Sequence, residues 1–230
     1  MTKENFTSIN VVIDASGSME GLTNDTIGSF NAFLSEQKLV PGQAALTLCT
    51  FNTVHNLVHD FVELSTVPDL NPKTYRPNGG TALLDALGTT INNVGAKLAA
   101  MPEDDRPSKV IFLIITDGEE NSSRTFKKEQ VRAMVEHQRD VYKWEFVFMG
   151  ANVDAFSEGV SLGISGNNTF SYTSDSAGTR ALYNNISESM TSYRSSNSSQ
   201  TDFFNQNNNA PAAPATPVTP STPGSNQGNP

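Results

Sequence analysis

The residues of this sequence best suited to chemistry are oxygen-bearing side chains that follow an apolar run near the amino terminus. The run at residues 8–13 ends in Asp14, and Ser16 and Ser18 follow at alternate positions. The small residues between them allow a tight turn in which one carboxylate and two hydroxyls can face one point. Oxygen ligands of low total charge suit a hard cation that keeps several waters. We therefore expect a Mg²⁺ site here, with Mn²⁺ or Ca²⁺ as alternative ions.

Two further oxygens stand where the fold could bring them to the same place. Thr81 follows two glycines at the predicted start of a helix, and Asp117 comes shortly after the apolar run at residues 110–115. In open α/β sheets, ligands bind outside the carboxyl ends of the strands, where the strand order reverses. Asp14 and Asp117 would meet there if their two strands are neighbours.

The elements that must position these residues alternate between strands and helices. Short β-branched and apolar runs predict buried strands, whereas apolar residues on a 3.6-residue repeat predict helices that pack one face on a sheet. The predicted strands cover residues 8–13, 44–51, 54–61, 110–115, 144–149 and 169–172, and the predicted helices cover residues 22–39, 81–101, 127–142, 153–162 and 178–193. This alternation predicts a doubly wound, mostly parallel sheet. The Asn52-Thr53 pair between the second and third runs predicts a hairpin at one edge of that sheet.

The combination of these motifs resembles a known site. Asp14-x-Ser16-x-Ser18, Thr81 in Gly-Gly-Thr and Asp117 in Thr-Asp-Gly look like the metal-ion-dependent adhesion site of von Willebrand factor A domains, over about residues 6–195. The resemblance implies an α/β, Rossmann-like fold flanked by helices, with a six-stranded sheet of order 3-2-1-4-5-6 and one antiparallel edge strand. Small stand-alone domains of this kind occur in bacteria and their phages.

The same resemblance implies roles for the five residues. Ser16, Ser18 and Thr81 would contact the metal directly or nearly so, and Asp14 and Asp117 would act directly or through water. One coordination position stays open, and an acidic side chain of a partner protein typically fills it. The resemblance therefore predicts a protein-binding module in which Mg²⁺ bridges to a partner.

Two other functions stay open at this point. A metal-dependent hydrolase or phosphoryl-transfer enzyme would need a general base beside the metal, and Glu119, Glu120 and His55 are the candidates. The sequence has no nucleophile elbow and no phosphate-binding glycine loop, so it offers no convincing catalytic constellation. A scaffold component would instead bind through its globular domain and be tethered by its tail.

Composition bounds the partners and the compartment. The formal net charge of −9 disfavours nucleic acid or an anionic membrane as the main partner. The single cysteine, Cys49, excludes an intramolecular disulfide. Because no signal peptide or membrane-spanning run is evident, we expect a cytoplasmic protein. The oligomeric state is left open.

The carboxyl-terminal part of the sequence differs in composition from the rest. We predict one domain over residues 1–195 and a tail over residues 196–230 that is rich in Pro, Asn and Ser. Low hydrophobicity there predicts disorder. Proline recurs at every third position, which is typical of a polyproline II helix that would serve as a spacer or as a docking peptide, at Pro211, Pro214, Pro217, Pro220 and Pro223.

Overall fold

A computed structural model of the chain describes residues 2–151, 154–196 and 203. The strands in these ranges are β1 (Lys3–Asp14), β2 (Gln43–Phe51), β3 (His55–Glu63), β4 (Pro107–Thr116), β5 (Glu145–Ala151) and β6 (Thr169–Tyr172). The α-helices are α1 (Thr23–Leu39), α2 (Leu83–Ala100), α3 (Lys128–Tyr142), α4 (Ala155–Ser161) and α5 (Ser176–Ser195). Strands and helices therefore alternate largely as the sequence pattern predicts.

The strands form one sheet in the order β3-β2-β1-β4-β5-β6. Neighbouring strands are parallel except at the β2–β3 edge, where the pairing is antiparallel. The predicted strand order and the antiparallel edge strand are confirmed. Because β1 and β4 are direct neighbours with Ile13 opposite Ile115, their carboxyl ends meet at the same edge of the sheet. Asp14, the last residue of β1, and Asp117, the residue after β4, lie at this edge.

The sheet is covered on both faces, which explains why its central strands read as continuous apolar runs. On one face, Ile13 of β1 contacts a cluster that includes Phe30 of α1 and Ile186 of α5. On the other face, Val12 belongs to a cluster that includes Leu87 of α2 and Val131 of α3. Alternate residues of β1 thus enter different cores, and both cores hold the strand that ends in Asp14.

The apolar stripe predicted for the second helix is buried against the sheet, but the predicted start of that helix is wrong. The helix begins at Leu83 rather than Thr81. Ala82 has a non-helical backbone and donates its N–H to the Asn52 carbonyl at 2.8 Å. The Thr81 carbonyl accepts the N–H groups of Asn121 and Ser122 at 3.0 and 3.2 Å. Tertiary hydrogen bonds therefore hold Thr81 outside the helix.

Other boundaries differ from the prediction by a few residues. β1 begins at Lys3, where it pairs with Pro107 of β4. β3 extends to Glu63 and contains two register shifts against β2, with Phe61 at φ 56°. Pairing with a neighbouring strand lengthens both elements beyond what their apolar runs indicate.

Phe203 lies within the predicted tail, yet it packs against the domain. Its side chain is buried, and its ring centroid lies 6.2 Å from that of Tyr193 near the end of α5. Its N–H donates to Asn168 Oδ1 at 2.9 Å. The remainder of the predicted tail beyond Ser196, and Val153 at the predicted start of the fourth helix, lie outside the described residues. Among the helices of the described ranges, none combines the length and apolar character needed to cross a membrane.

Candidate metal centre

Asp14 is the anchor of the site, since it ends the central strand and is fully buried. Its Oδ1 accepts the Ser16 N–H at 2.7 Å, and its Oδ2 accepts the Thr116 hydroxyl at 2.6 Å. The first bond closes the turn that follows β1, and the second ties that turn to the end of β4. The carboxylate therefore has a defined orientation before any ligand arrives.

Ser16, Ser18 and Asp117 form a connected group of oxygens beside Asp14. The hydroxyl oxygens of Ser16 and Ser18 lie 3.0 Å apart, and Ser18 Oγ donates to Asp117 Oδ1 at 2.6 Å. Oxygens around Mg²⁺ lie at about 2.1 Å from the ion, so adjacent oxygens in an octahedral shell are roughly 3 Å apart. The observed spacings are close to that value. Ser18 is exposed whereas Ser16 and Asp117 are buried, so the group opens to solvent through Ser18.

Thr81 reaches the same place from the loop before α2. A side-chain carbon placed on Gly118 would lie 3.5 Å from Thr81 Oγ1 and 3.7 Å from Ser18 Oγ. The hydroxyls of Thr81 and Ser18 therefore both lie next to Gly118. All five residues predicted from the sequence come together at the carboxyl ends of β1 and β4, and their role as metal ligands stays a prediction.

Backbone hydrogen bonds connect the loops that carry these residues. Gly17 donates its N–H to the Gly79 carbonyl at 3.0 Å, and Asn78 donates its N–H to the Ala15 carbonyl at 2.9 Å. Gly79 adopts a positive φ of 69°, a conformation that glycine adopts without strain. The turn after β1 and the loop leading to Thr81 therefore form one connected unit.

The electrostatics of the centre are those of a site that lacks positive charge. Burial raises the pKa of Asp14 above its usual value, and the nearby Asp117 adds to that rise, although hydrogen bonds from Thr116 and Ser16 oppose it. Among the ion pairs of the described residues, none involves Asp14 or Asp117. A cation bound between the two carboxylates would compensate both charges.

The donor set fits a hard ion. It consists of two carboxylates and three hydroxyls, with no nitrogen or sulfur ligand. Across the described part of the chain, no three His, Cys, Asp or Glu side chains gather into a group that could hold a metal. A site dominated by hydroxyl oxygens is suited to Mg²⁺, Mn²⁺ or Ca²⁺ rather than to Zn²⁺, which favours nitrogen and sulfur ligands.

Two supporting residues were not singled out by the sequence analysis. The Tyr75 hydroxyl is buried and donates to the Asp14 backbone carbonyl at 2.7 Å. The Tyr172 hydroxyl donates to the Thr116 backbone carbonyl at 3.3 Å. Each tyrosine thus braces the end of one central strand. Their distance along the chain from the motifs explains why spacing alone did not indicate them.

The candidate general bases have different surroundings. Glu120 accepts the N–H groups of Leu84, Ser122 and Ser123 at 3.0, 2.9 and 2.7 Å, together with the Ser123 hydroxyl at 2.8 Å. His55 Nε2 lies 3.2 Å from Thr90 Oγ1 of α2, and burial lowers its pKa. Glu120 and His55 therefore have structural partners, whereas Glu119 is exposed.

Asp85 of α2 stabilises the loop that follows Asp117. Its carboxylate accepts the N–H groups of Arg124, Thr125 and Phe126 at 2.8, 2.9 and 2.8 Å. Burial raises the pKa of Asp85, but these hydrogen bonds outweigh it and bring the pKa below its usual value. The segment after Asp117 is thereby held against the start of α2.

Comparison with known proteins identifies the fold. The vWF domain of the type V pili tip protein Mfa5 from Porphyromonas gingivalis superposes with a TM-score of 0.57 at 13% identity, over 85% of this chain and 98% of that one. The chain has the fold of a von Willebrand factor type A domain. No family model and no curated protein matches this von Willebrand factor A-fold chain.

Two further solved structures share the fold. The von Willebrand factor type A protein from Catenulispora acidiphila has a TM-score of 0.50 at 15% identity, over 84% of this chain and 43% of that one. The manganese-loaded TRAP protein from Plasmodium vivax has a TM-score of 0.50 at 12% identity, over 77% and 72%. The chain spans only 43–61% of the first four solved structures that it matches. At these identities the likeness establishes the fold.

Proposed function

We propose that this von Willebrand factor A-fold chain is a protein-binding module in which a divalent metal ion, Mg²⁺, bridges the domain to an acidic side chain of a partner protein. The observation that carries the proposal is the connected group of oxygens at the carboxyl ends of β1 and β4. Asp14, Ser16, Ser18 and Asp117 are joined by hydrogen bonds or close contacts, and Thr81 lies beside Ser18 next to Gly118.

The donor set of this group leaves a coordination position that a third carboxylate can fill. Ser16, Ser18 and Thr81 would hold the ion through neutral hydroxyl oxygens, and Asp14 and Asp117 would balance its two positive charges. When bound, the ion supplies a positive centre that an incoming acidic side chain can share. A protein donor set with no further anion leaves that position to a partner. The exposed hydroxyl of Ser18 marks where the partner would approach.

The connected loops support recognition by a preformed site. The hydrogen bonds of Asp85 and Glu120 hold the loop after Asp117, and the Gly17–Gly79 bond holds the loop before Thr81. Binding to such a site loses less conformational entropy than binding to a mobile one. The TRAP protein from Plasmodium vivax, which shares this fold, is manganese-loaded in its solved structure.

The first test is metal binding by isothermal titration calorimetry with MgCl₂ and MnCl₂. Thr81→Val removes one hydroxyl at nearly constant shape, and we expect its affinity to fall by about tenfold or more, equivalent to about 1.4 kcal/mol. Thr47→Val is the matched control, because Thr47 is a buried threonine on β2 whose hydroxyl has no hydrogen-bond partner in the described structure. Its metal affinity should equal that of wild type. Absence of metal binding by wild type would overturn the proposal.

The second test is partner capture from a lysate of the source organism, with the full chain as bait. We expect a protein that is captured in Mg²⁺ by wild type and Thr47→Val, and lost in EDTA or with Thr81→Val. Equal capture under all conditions would contradict the metal bridge and favour the scaffold function. Hydrolysis of a generic phosphoester that stops in EDTA would favour the hydrolase.

A further inference from the structure

A polar cleft of about 370 Å³ opens beside the proposed metal centre. It lies at the end of β2, and its walls include Ala15, Asn52, Asn78, Lys73 and Arg76. We refer to it as the basic cleft. It contains none of the five residues of the metal centre, so it would be a separate contact surface.

The basic cleft and the metal centre share a wall. Ala15 stands between Asp14 and Ser16, and its N–H donates to the Phe51 carbonyl of β2 at 2.6 Å. Its own carbonyl accepts the Asn78 N–H at 2.9 Å, and the Asn78 side chain accepts a hydrogen bond from Asn52 at 3.0 Å. A peptide that places one side chain at the metal centre therefore passes close to the cleft if it runs toward β2.

The charge of the cleft is opposite to that of the whole chain. The chain has 24 acidic and 15 basic residues, yet the cleft is lined by Lys73 and Arg76 and by no Asp or Glu. Both side chains are exposed, and within the described ranges neither forms an ion pair. Arg76 Nε donates to the Pro72 carbonyl at 3.0 Å, which orients the guanidinium. Among the described residues, the two terminal Nη groups of Arg76 form no hydrogen bond. Two unpaired cations beside a cation site favour an anionic ligand.

We propose that the partner contributes two acidic side chains, one to the metal centre and a second to the basic cleft. This inference rests on the proposed function, because it identifies the partner as an acidic segment rather than a single carboxylate. Arg76 presents a planar donor fork suited to a carboxylate, and Lys73 adds a point charge. The second contact would raise the association rate and select against segments with only one acid.

The test is selection of a phage-displayed random peptide library on the immobilised full chain in Mg²⁺, with elution by EDTA. Peptides eluted from wild type should carry at least two acidic residues. The variant K73Q/R76Q should bind the synthesised peptides about tenfold more weakly. Changing the second acid of a peptide to its amide should weaken binding to wild type and leave binding to K73Q/R76Q unchanged.

The matched control is K127Q/R132Q, which removes the same two charges from the region of α3 and should bind the peptides like wild type. EDTA-eluted peptides with one acid, bound equally by wild type and K73Q/R76Q, would overturn this inference and leave the proposed function standing. A selection that yields no EDTA-eluted peptide would overturn both. Thermal melting should change little in all variants, because these side chains are on the surface and the Arg132–Glu136 ion pair is exposed.

Discussion

Replacement of Phe203 tests where the folded unit ends. Composition indicates a boundary at about residue 195, yet Phe203 is 1% exposed and packs beside Tyr193. Its N–H also satisfies the buried Asn168 side chain. We therefore expect Phe203→Ala to destabilise the domain, although the residue lies within the stretch predicted as a tail.

The size of the effect follows from the contacts. Burial of a phenylalanine side chain stabilises by about 3 kcal/mol, and the hydrogen bond to Asn168 adds about 1 kcal/mol. Fixing the position of Phe203 relative to Ser196 costs about 2 kcal/mol of chain entropy. The net contribution of Phe203 to the free energy of unfolding is therefore about 2 kcal/mol. Phe203→Ala cannot cost more than this, because a segment that has lost its contacts can detach and leave the rest of the domain folded. In a domain of this size, that corresponds to a fall in melting temperature of about 4–8 °C.

The assay is thermal denaturation followed by circular dichroism. Phe203→Ala and a chain ending at Ser196 should both melt lower than wild type, and by similar amounts. Phe156→Ala is the control, because Phe156 on α4 is 61% exposed and its loss should change the melting temperature little. Unchanged melting of both the Phe203→Ala variant and the shortened chain would refute the reasoning and restore the boundary at residue 195.

Three further variants probe the centre and its supports. Tyr75→Phe removes the hydrogen bond to the Asp14 carbonyl and should lower the free energy of unfolding in urea by about 1–2 kcal/mol. The lowered pKa of Asp85 means that its stabilisation is present above the usual pKa of 3.8 and is lost as the pH falls through the folded-state pKa. The difference in unfolding free energy between wild type and Asp85→Asn should therefore vanish in acid, and a difference that persists would contradict this. The raised pKa of Asp14 means that the metal-free protein loses stability as the pH rises through that pKa. Asp14→Asn should lack this loss in a pH series of thermal melts, and Mg²⁺ should stabilise only wild type, by about 2.7 kcal/mol at 100 times Kd.

Much of the fold could be predicted from local patterns. The β-branched runs that end near Asp14 and Asp117 indicate buried strands because both faces of a central parallel strand are covered. The stripe that includes Leu87 and Ile91 indicates α2 because one face of a helix packs on the sheet. Element ends were less predictable. Thr81 lies outside α2 because hydrogen bonds from Asn121 and Ser122 compete with helix formation there.

The sequence by itself determined the oxygen types of the candidate centre and the turn that presents Asp14, Ser16 and Ser18, since a local turn depends on residues close in the chain. Tertiary structure decided which residues from distant parts of the chain contact that turn. Asp117 contacts Ser18 only because β1 and β4 are neighbours. The bracing by Tyr75 likewise depends on loops brought together by strand order. Contacts between residues far apart in the chain depend on how whole elements pack, and the spacing of residues within one segment does not encode that.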